Sequence, residues 1–182
     1  MTSEGTLLKL IIAGEGGVGK TTFVRRFVEG VYHDSILTVG TAFAAKRITV
    51  EDGNGRQSPV KLQLWDFAGE KRFRSMLPKF CVGARGAILA FDLSRFSTFL
   101  KLSEWLAMIR SNTEGVPIIL VGMKADLLRA VDQKEAIEFT QSQGLKAYFE
   151  TSAKENLNVD AVFEYIAKHM LEYTRKRQAE VG

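Results

Sequence analysis

The alternation of apolar and polar positions changes period repeatedly along this chain. Residues 7–13 form a short apolar run of the kind a parallel strand buried on both faces shows, and residues 22–28 then set their apolar side chains at helical spacing. Residues 43–50 and 60–66 predict two strands; in the second, Leu62, Leu64 and Asp66 alternate with Lys61, Gln63 and Trp65. The turn-rich stretch 51–59 joins them as a hairpin. Buried-strand runs follow at 85–92 and 117–122, with a last strand at 147–151. Helices are predicted over about 71–82, 96–111, 132–143 and 159–177, the last carrying Val159, Phe163, Ile166, Ala167, Met170 and Leu171 on one face. Strands alternating with helices predict an α/β fold, a doubly wound and mostly parallel six-stranded sheet with one antiparallel edge strand. The ligand of such a sheet sits in loops after the strand C-termini. No repeat or low-complexity linker interrupts the pattern, so residues 1–182 are expected to form one domain with a short polar tail from about 174.

The first of those loops carries the strongest chemistry. Gly14-Glu15-Gly16-Gly17-Val18-Gly19-Lys20-Thr21 has the spacing G-x-x-x-x-G-K-[ST], between a predicted strand and a predicted helix. Glycines let backbone N–H groups wrap a polyphosphate, and the helix N-terminus adds partial positive charge. Glu15, Gly16, Gly17, Val18, Gly19, Lys20, Thr21 and Thr22 are therefore read as phosphate-binding, with Lys20 on the β- and γ-phosphates and the Thr21 hydroxyl on Mg²⁺. The plain alternative is a Gly-rich turn with a chance Lys-Thr; the flanking elements argue against it.

Other loops offer matching groups. Asp66 ends a strand where a carboxylate holds Mg²⁺ through water, and Gly69 lets a backbone N–H approach the γ-phosphate. Thr38 offers a second hydroxyl to the metal. After the fifth strand come Met123, Lys124 and Asp126, and the Asp126 carboxylate can accept from both N1 and N2 of guanine, a donor pair adenine lacks. Ser152, Ala153 and Lys154 follow the last strand, with backbone N–H groups for guanine O6. Singly, Asp66 reads equally as a strand end, Thr38 as a loop hydroxyl and Asp126 as a turn cap; their shared order behind the phosphate loop points to a nucleotide site with GTP or GDP and Mg²⁺ as its ligands.

Composition narrows the class. The net charge of +4 comes from 25 basic and 21 acidic residues spread along the chain, without the concentrated basic stripe a nucleic acid needs. The densest cluster, Arg175-Lys176-Arg177, reads as a solvated helix end. The lone Cys81 excludes an internal disulfide and suits a reducing compartment. No apolar stretch is long enough to span a membrane, residue 2 is Thr, and the last residues lack a cysteine for prenylation. The expectation is a soluble, cytoplasmic monomer without a lipid anchor, reaching membranes only through partners. His33 and His169 invite no catalytic reading.

Over nearly its whole length the chain resembles a small GTPase of the Ras superfamily, most closely the Rab branch. The resemblance rests on Thr38-Val39-Gly40-Thr41-Ala42-Phe43, Lys61-Leu62-Gln63-Leu64-Trp65-Asp66-Phe67-Ala68-Gly69, Arg72-Phe73-Arg74-Ser75 and Glu150-Thr151-Ser152-Ala153-Lys154. Met76-Leu77-Pro78 and residues 87–94 are also similar to the septum-promoting GTPases, a Rab-related group. The resemblance implies a G domain whose two switch loops, around Thr38 and Gly69, are ordered by GTP and released by hydrolysis. It implies effectors and activating and exchange factors as partners, with Phe43, Trp65 and Phe80 as a surface aromatic triad; the alternative for these rings is packing between hairpin and helix. It makes Arg72 and Arg74 switch-surface residues rather than catalysts.

Departures from the family pattern bear on activity. Glu70 stands where the family has its water-orienting Gln, and an ionised carboxylate cannot donate a hydrogen bond to phosphate oxygens. Gly69, Glu70, Lys20 and Thr38 remain the catalytic candidates, with hydrolysis expected to be slow. Met123 replaces the Asn that bonds guanine and ties the base loop to the phosphate loop, and weaker binding is expected; the alternative is that Met123 packs apolar surface and backbone groups make up the loss. Tyr32 approximates the aromatic beside guanine, or else packs at a helix end. Phe67 replaces a Thr, and the hairpin near Gly53-Asn54-Gly55 is longer than usual. Two rival classes remain: a nucleoside monophosphate kinase, opposed by the base-loop residues, and a nucleotide-loaded interaction module that does not cycle, favoured by Glu70.

Overall fold

The structure, a computed structural model, describes residues 5–33 and 40–181. Its strands are β1 (Thr6–Gly14), β2 (Thr41–Glu51), β3 (Gln57–Phe67), β4 (Gly86–Asp92), β5 (Ile118–Met123) and β6 (Tyr148–Glu150). They form one six-stranded sheet in the order β2-β3-β1-β4-β5-β6. β2 runs antiparallel to β3 at the edge and every other pairing is parallel. The predicted architecture is the observed one.

Patterning explains the placement. Every residue of β4 and β5 is buried, which is why these strands read as unbroken apolar runs. The helices are α1 (Lys20–Glu29), α2 (Leu77–Cys81), α3 (Phe96–Leu100), α4 (Leu102–Ser111), α5 (Gln133–Ser142) and α6 (Val159–Val181). Ile88 and Ala90 of β4 join the core shared with α1 and α6, while Ala87, Leu89 and Phe91 face the core shared with α2 and α4. Phe163 of α6 stacks on Phe27 and Phe23 of α1 at centroid distances of 3.9 and 4.8 Å. Among the described residues no helix is long and apolar enough to cross a membrane.

Several boundaries differ from expectation. The helix predicted over 71–82 is a 3₁₀ turn, Lys71–Met76, followed by the short α2. Pro78 explains the break, because within a continuous helix its ring would collide with the carbonyl of Arg74. The helix predicted over 96–111 divides at Lys101, since its halves have different anchors. Phe99 of α3 packs on Phe91 and Phe139, whereas Leu102, Trp105, Leu106 and Ile109 of α4 are buried against the sheet. Asp132, predicted to open the fifth helix, instead caps it: its carboxylate accepts from Lys134 N while Glu135 reaches back to its N–H. The last helix runs through Val181 rather than stopping at 177, so the tail expected from 174 is helical, with Thr174 buried. Arg175 and Arg177 are not merely solvated: they pair with Asp52 and Glu114.

Candidate nucleotide site

The loop between β1 and α1 wraps one end of a cavity of about 460 Å³. Gly16, Gly17, Gly19, Lys20, Thr21 and Thr22 line it from the phosphate loop, Ala68, Gly69 and Glu70 from the segment after β3, and Met123, Lys124, Asp126, Thr151, Ala153 and Lys154 from the loops after β5 and β6. Gly17 and Gly19 adopt φ of +72° and +107°, values that favour residues without a Cβ. Tyr32 also lines the cavity. Thr38 lies outside the described residues. Val18 is buried beneath the loop, while Glu15 turns its carboxylate away to other partners.

Lys20 is buried, and its Nζ donates to the carbonyls of Gly14 and Glu15, each at 2.9 Å. Burial lowers its pKa to about 8, a shift opposed by Asp66 and Glu15 and assisted by Arg95. Thr21 Oγ1 donates to Asp66 Oδ2, while Oδ1 of the same buried carboxylate has no hydrogen-bond partner among the described residues. Burial raises the Asp66 pKa, against the pull of Lys20 and the Thr21 hydroxyl. A buried carboxylate oxygen lacking a partner, beside a hydroxyl, is a donor set suited to a hard cation with oxygen ligands.

Gly69 owes its place to size alone. A Cβ there would lie 2.2 Å from Glu15 C and Gly16 N and 2.4 Å from Gly14 O, so the segment after β3 rests directly on the phosphate loop. Glu70 pairs with Arg72 at 2.7 Å. Arg74, expected on the switch surface, is half-buried: it bonds Glu15 of the loop and Glu104 of α4, and stacks over Trp105. Trp105 Nε1 donates to the same Glu15 carboxylate at 2.9 Å. The composition of that tie is invisible in sequence, because its members are separated by 59 and 90 positions.

At the base end, Asp126 accepts from Ser152 Oγ at 2.6 Å, joining the last two loops. Met123 is buried in the core shared with α1, and its Sδ would lie 3.8 Å from a Cβ at Gly19. The thioether thus fills apolar space against the loop. Hydrogen-bonded links come from elsewhere: Lys124 Nζ donates to Gly17 O at 2.8 Å and Arg95 Nη2 to Gly16 O at 3.1 Å. Both cations meet Asp92, whose burial would raise its pKa but whose bonds to Lys124, Ser94 and Arg95 hold it below the usual range. Sequence reading passed over Asp92 and Arg95; a charged residue ending the fully apolar β4 run was the available signal.

Other expectations find their places in the fold. Phe43, Trp65 and Phe80 do form a cluster, with Phe43–Trp65 and Trp65–Phe80 centroids at 4.2 and 5.4 Å, and Phe43 is exposed. Phe67 is buried, packing on Phe80 and Trp105. The long hairpin is docked rather than free, since Asp52 accepts from Arg175 of α6 at 2.6 Å and from the Asn54 and Arg56 amides. His33 is exposed in its loop, and His169 meets Glu172 at 3.4 Å and the Tyr165 ring. Cys81 is buried, which pushes its thiol up to about 11.

Sequence comparison places the chain in a family. A family model described as the Ras family matches residues 9–172. Ras-related protein Rab-27B of Rattus norvegicus is 39% identical, with 94% of this chain and 85% of that protein covered. The Ypt/Rab-type GTPase ypt7 of Schizosaccharomyces pombe is 40% identical, over 91% of this chain and 83% of its own. Ras-related protein RABA1i of Arabidopsis thaliana is 37% identical, over 97% and 80%. A match covering the sheet, the phosphate loop and the base loops, with Rab proteins at this level of identity, makes the chain a Rab-like member of the Ras superfamily of GTP-binding switches.

Proposed function

We propose that this protein takes GTP and GDP with Mg²⁺, hydrolyses GTP slowly, and signals the difference through the segments around Thr38 and Gly69. The observation that carries this reading is one cavity lined both by the phosphate loop and by Asp126, Ala153 and Lys154. Lys20 and the loop amides of residues 15–22 neutralise and orient phosphate, while Asp126 selects guanine and Ser152 fixes its carboxylate. Lys124, Ala153, Lys154 and Tyr32 bound the space for the base and sugar.

The oxygen groups fit Mg²⁺: Thr21 and Thr38 would hold it directly and Asp66 through water, with the partnerless Asp66 Oδ1 as the structural support. When bound, the metal would offset the negative charge that develops on the phosphates. Three arginines near the loop are paired with carboxylates, Arg72 with Glu70, Arg74 with Glu15 and Glu104, and Arg95 with Asp92. Slow intrinsic turnover, assisted by an arginine from an activating protein, follows. Effectors and exchange factors would read the switch surface, with Phe43 and Trp65 offering exposed and half-buried rings.

A specific contact supports a second reading, a nucleotide-loaded module that does not cycle. Glu70 is held by Arg72, and an ionised carboxylate so occupied neither donates to phosphate nor is free to orient water. Single-turnover GTP hydrolysis separates the two readings. A slow but measurable rate, about tenfold faster in Glu70→Gln and lost in Glu70→Ala, is expected of the switch. No turnover in the unaltered protein, alone or with cell extract, establishes the non-cycling module instead.

A further inference from the structure

Arg95 reaches the phosphate loop from behind. Its Nε donates to Asp92 Oδ2 at 3.0 Å and its Nη2 to the Gly16 carbonyl at 3.1 Å. Lys124 runs alongside, with Nζ 2.7 Å from the same Asp92 oxygen and 2.8 Å from the Gly17 carbonyl. Asp92 is itself buried and fixed by the Ser94 amide and hydroxyl at 2.9 and 2.6 Å. One anchored carboxylate therefore aims two cations at two successive carbonyls of the loop.

The consequence follows from peptide geometry. A planar trans peptide points its C=O and the next residue's N–H in opposite directions, and no peptide among the described residues is cis. Holding the Gly16 carbonyl towards Arg95 turns the Gly17 N–H to the opposite side of the loop; Lys124 does the same for the Val18 N–H. Between two glycines, with Gly17 at φ +72°, no side chain on either residue resists a flip of that peptide. A flip would present a carbonyl oxygen, not an amide, to a phosphate. A cationic donor on the carbonyl also polarises the peptide and strengthens the N–H as a donor.

We propose that Arg95 is a positioning residue for the phosphates of the bound guanine nucleotide, holding the Gly16–Gly17 peptide so that the Gly17 N–H donates to them. This rests on the guanine-nucleotide reading above. The Asp92, Arg95 and Lys124 unit also supplies hydrogen-bonded ties to the phosphate loop where the Met123 thioether supplies none.

The test loads the unaltered protein and the variants Arg95→Ala, Arg95→Lys and Arg110→Ala with Mg²⁺ and GDP. GDP dissociation and the ³¹P resonance of the β-phosphate are then measured. Uptake of GDP by the folded, unaltered protein is read first, and its failure overturns the guanine reading together with this one. Given uptake, Arg95→Ala is expected to release GDP about tenfold faster and to shift the β-phosphate resonance. Arg95→Lys keeps the charge but loses the fork that spans Asp92 and Gly16, so its resonance is expected to follow the alanine variant. Arg110, whose guanidinium meets Gln143, serves as the control expected to match the unaltered protein. An unshifted resonance and unchanged release in Arg95→Ala overturn the proposal. Full recovery in Arg95→Lys overturns it too, because charge alone would then suffice.

Discussion

Replacing Gly69 with alanine tests how the segment after β3 is seated. The new Cβ would stand 2.2 Å from Glu15 C and Gly16 N and 2.4 Å from Gly14 O, all backbone atoms. Ordinary contact begins at 3.4 Å, so one side must retreat by more than 1 Å. The phosphate loop has little room to do so, because a Cβ at Gly14 would already be 2.2 Å from Ala90 O of β4. The yielding side is the 3₁₀ turn Lys71–Met76, which has no buried residue of its own and is pinned through Arg74 to Glu15. Overpacking of this kind costs about 1–3 kcal/mol. For a chain of this size that corresponds to a fall in melting temperature of about 3–10 °C. Intrinsic fluorescence is a direct monitor, since the chain's two tryptophans, Trp65 and Trp105, flank the strained segment, and Trp105 bonds Glu15. A Gly69→Ala protein with unchanged emission and a melting temperature within about 1 °C would show that the segment is not seated on the loop, and would refute the reasoning.

Other expectations follow from single contacts. Asp66→Asn should collapse the difference in GDP release with and without a chelator; a chelator effect as large as in the unaltered protein contradicts the placement of the metal at Asp66. Met123→Asn loses about 1.5–3 kcal/mol of thioether burial, so the nucleotide-free protein should melt earlier, while GDP is released more slowly as the amide bonds the base; faster release contradicts this. Asp52 is held below the usual carboxylate range, first by Arg175 and then by the Arg56 amide. Its lowered pKa means that hairpin docking is complete above its ordinary value of 3.8 and is lost as pH falls below it. Arg175→Ala should therefore move the acid transition of the Arg56 amide resonance to higher pH, and an unmoved transition denies the tie.

Much of this architecture could be read from the chain because its signals are local. The apolar runs of β4 and β5 and the phosphate loop are contiguous, and the glycines there have a physical reason visible in their spacing. Pro78 also announced its break, although the helical periodicity around it masked the signal. Arg74 could not be read: its half-buried bond to Glu15 exists only once the segment after β3 folds across β1. The same holds for Asp52 and Arg175, 123 positions apart, whose pairing turns a nominal loop into a docked corner. Met123 shows why a motif departure alone does not settle affinity. Its own hydrogen bonds are gone, yet Lys124 and Arg95 tie the loops together by contacts that no spacing rule describes.

The central claim, a guanine-nucleotide site, is tested most directly by denaturing freshly purified protein and identifying the released nucleotide by chromatography. GDP is expected, or GTP if Glu70 does not support turnover. Adenine nucleotide would contradict the reading of Asp126, and protein that is folded yet empty, and stays empty when offered GDP with Mg²⁺, would contradict the site as a whole.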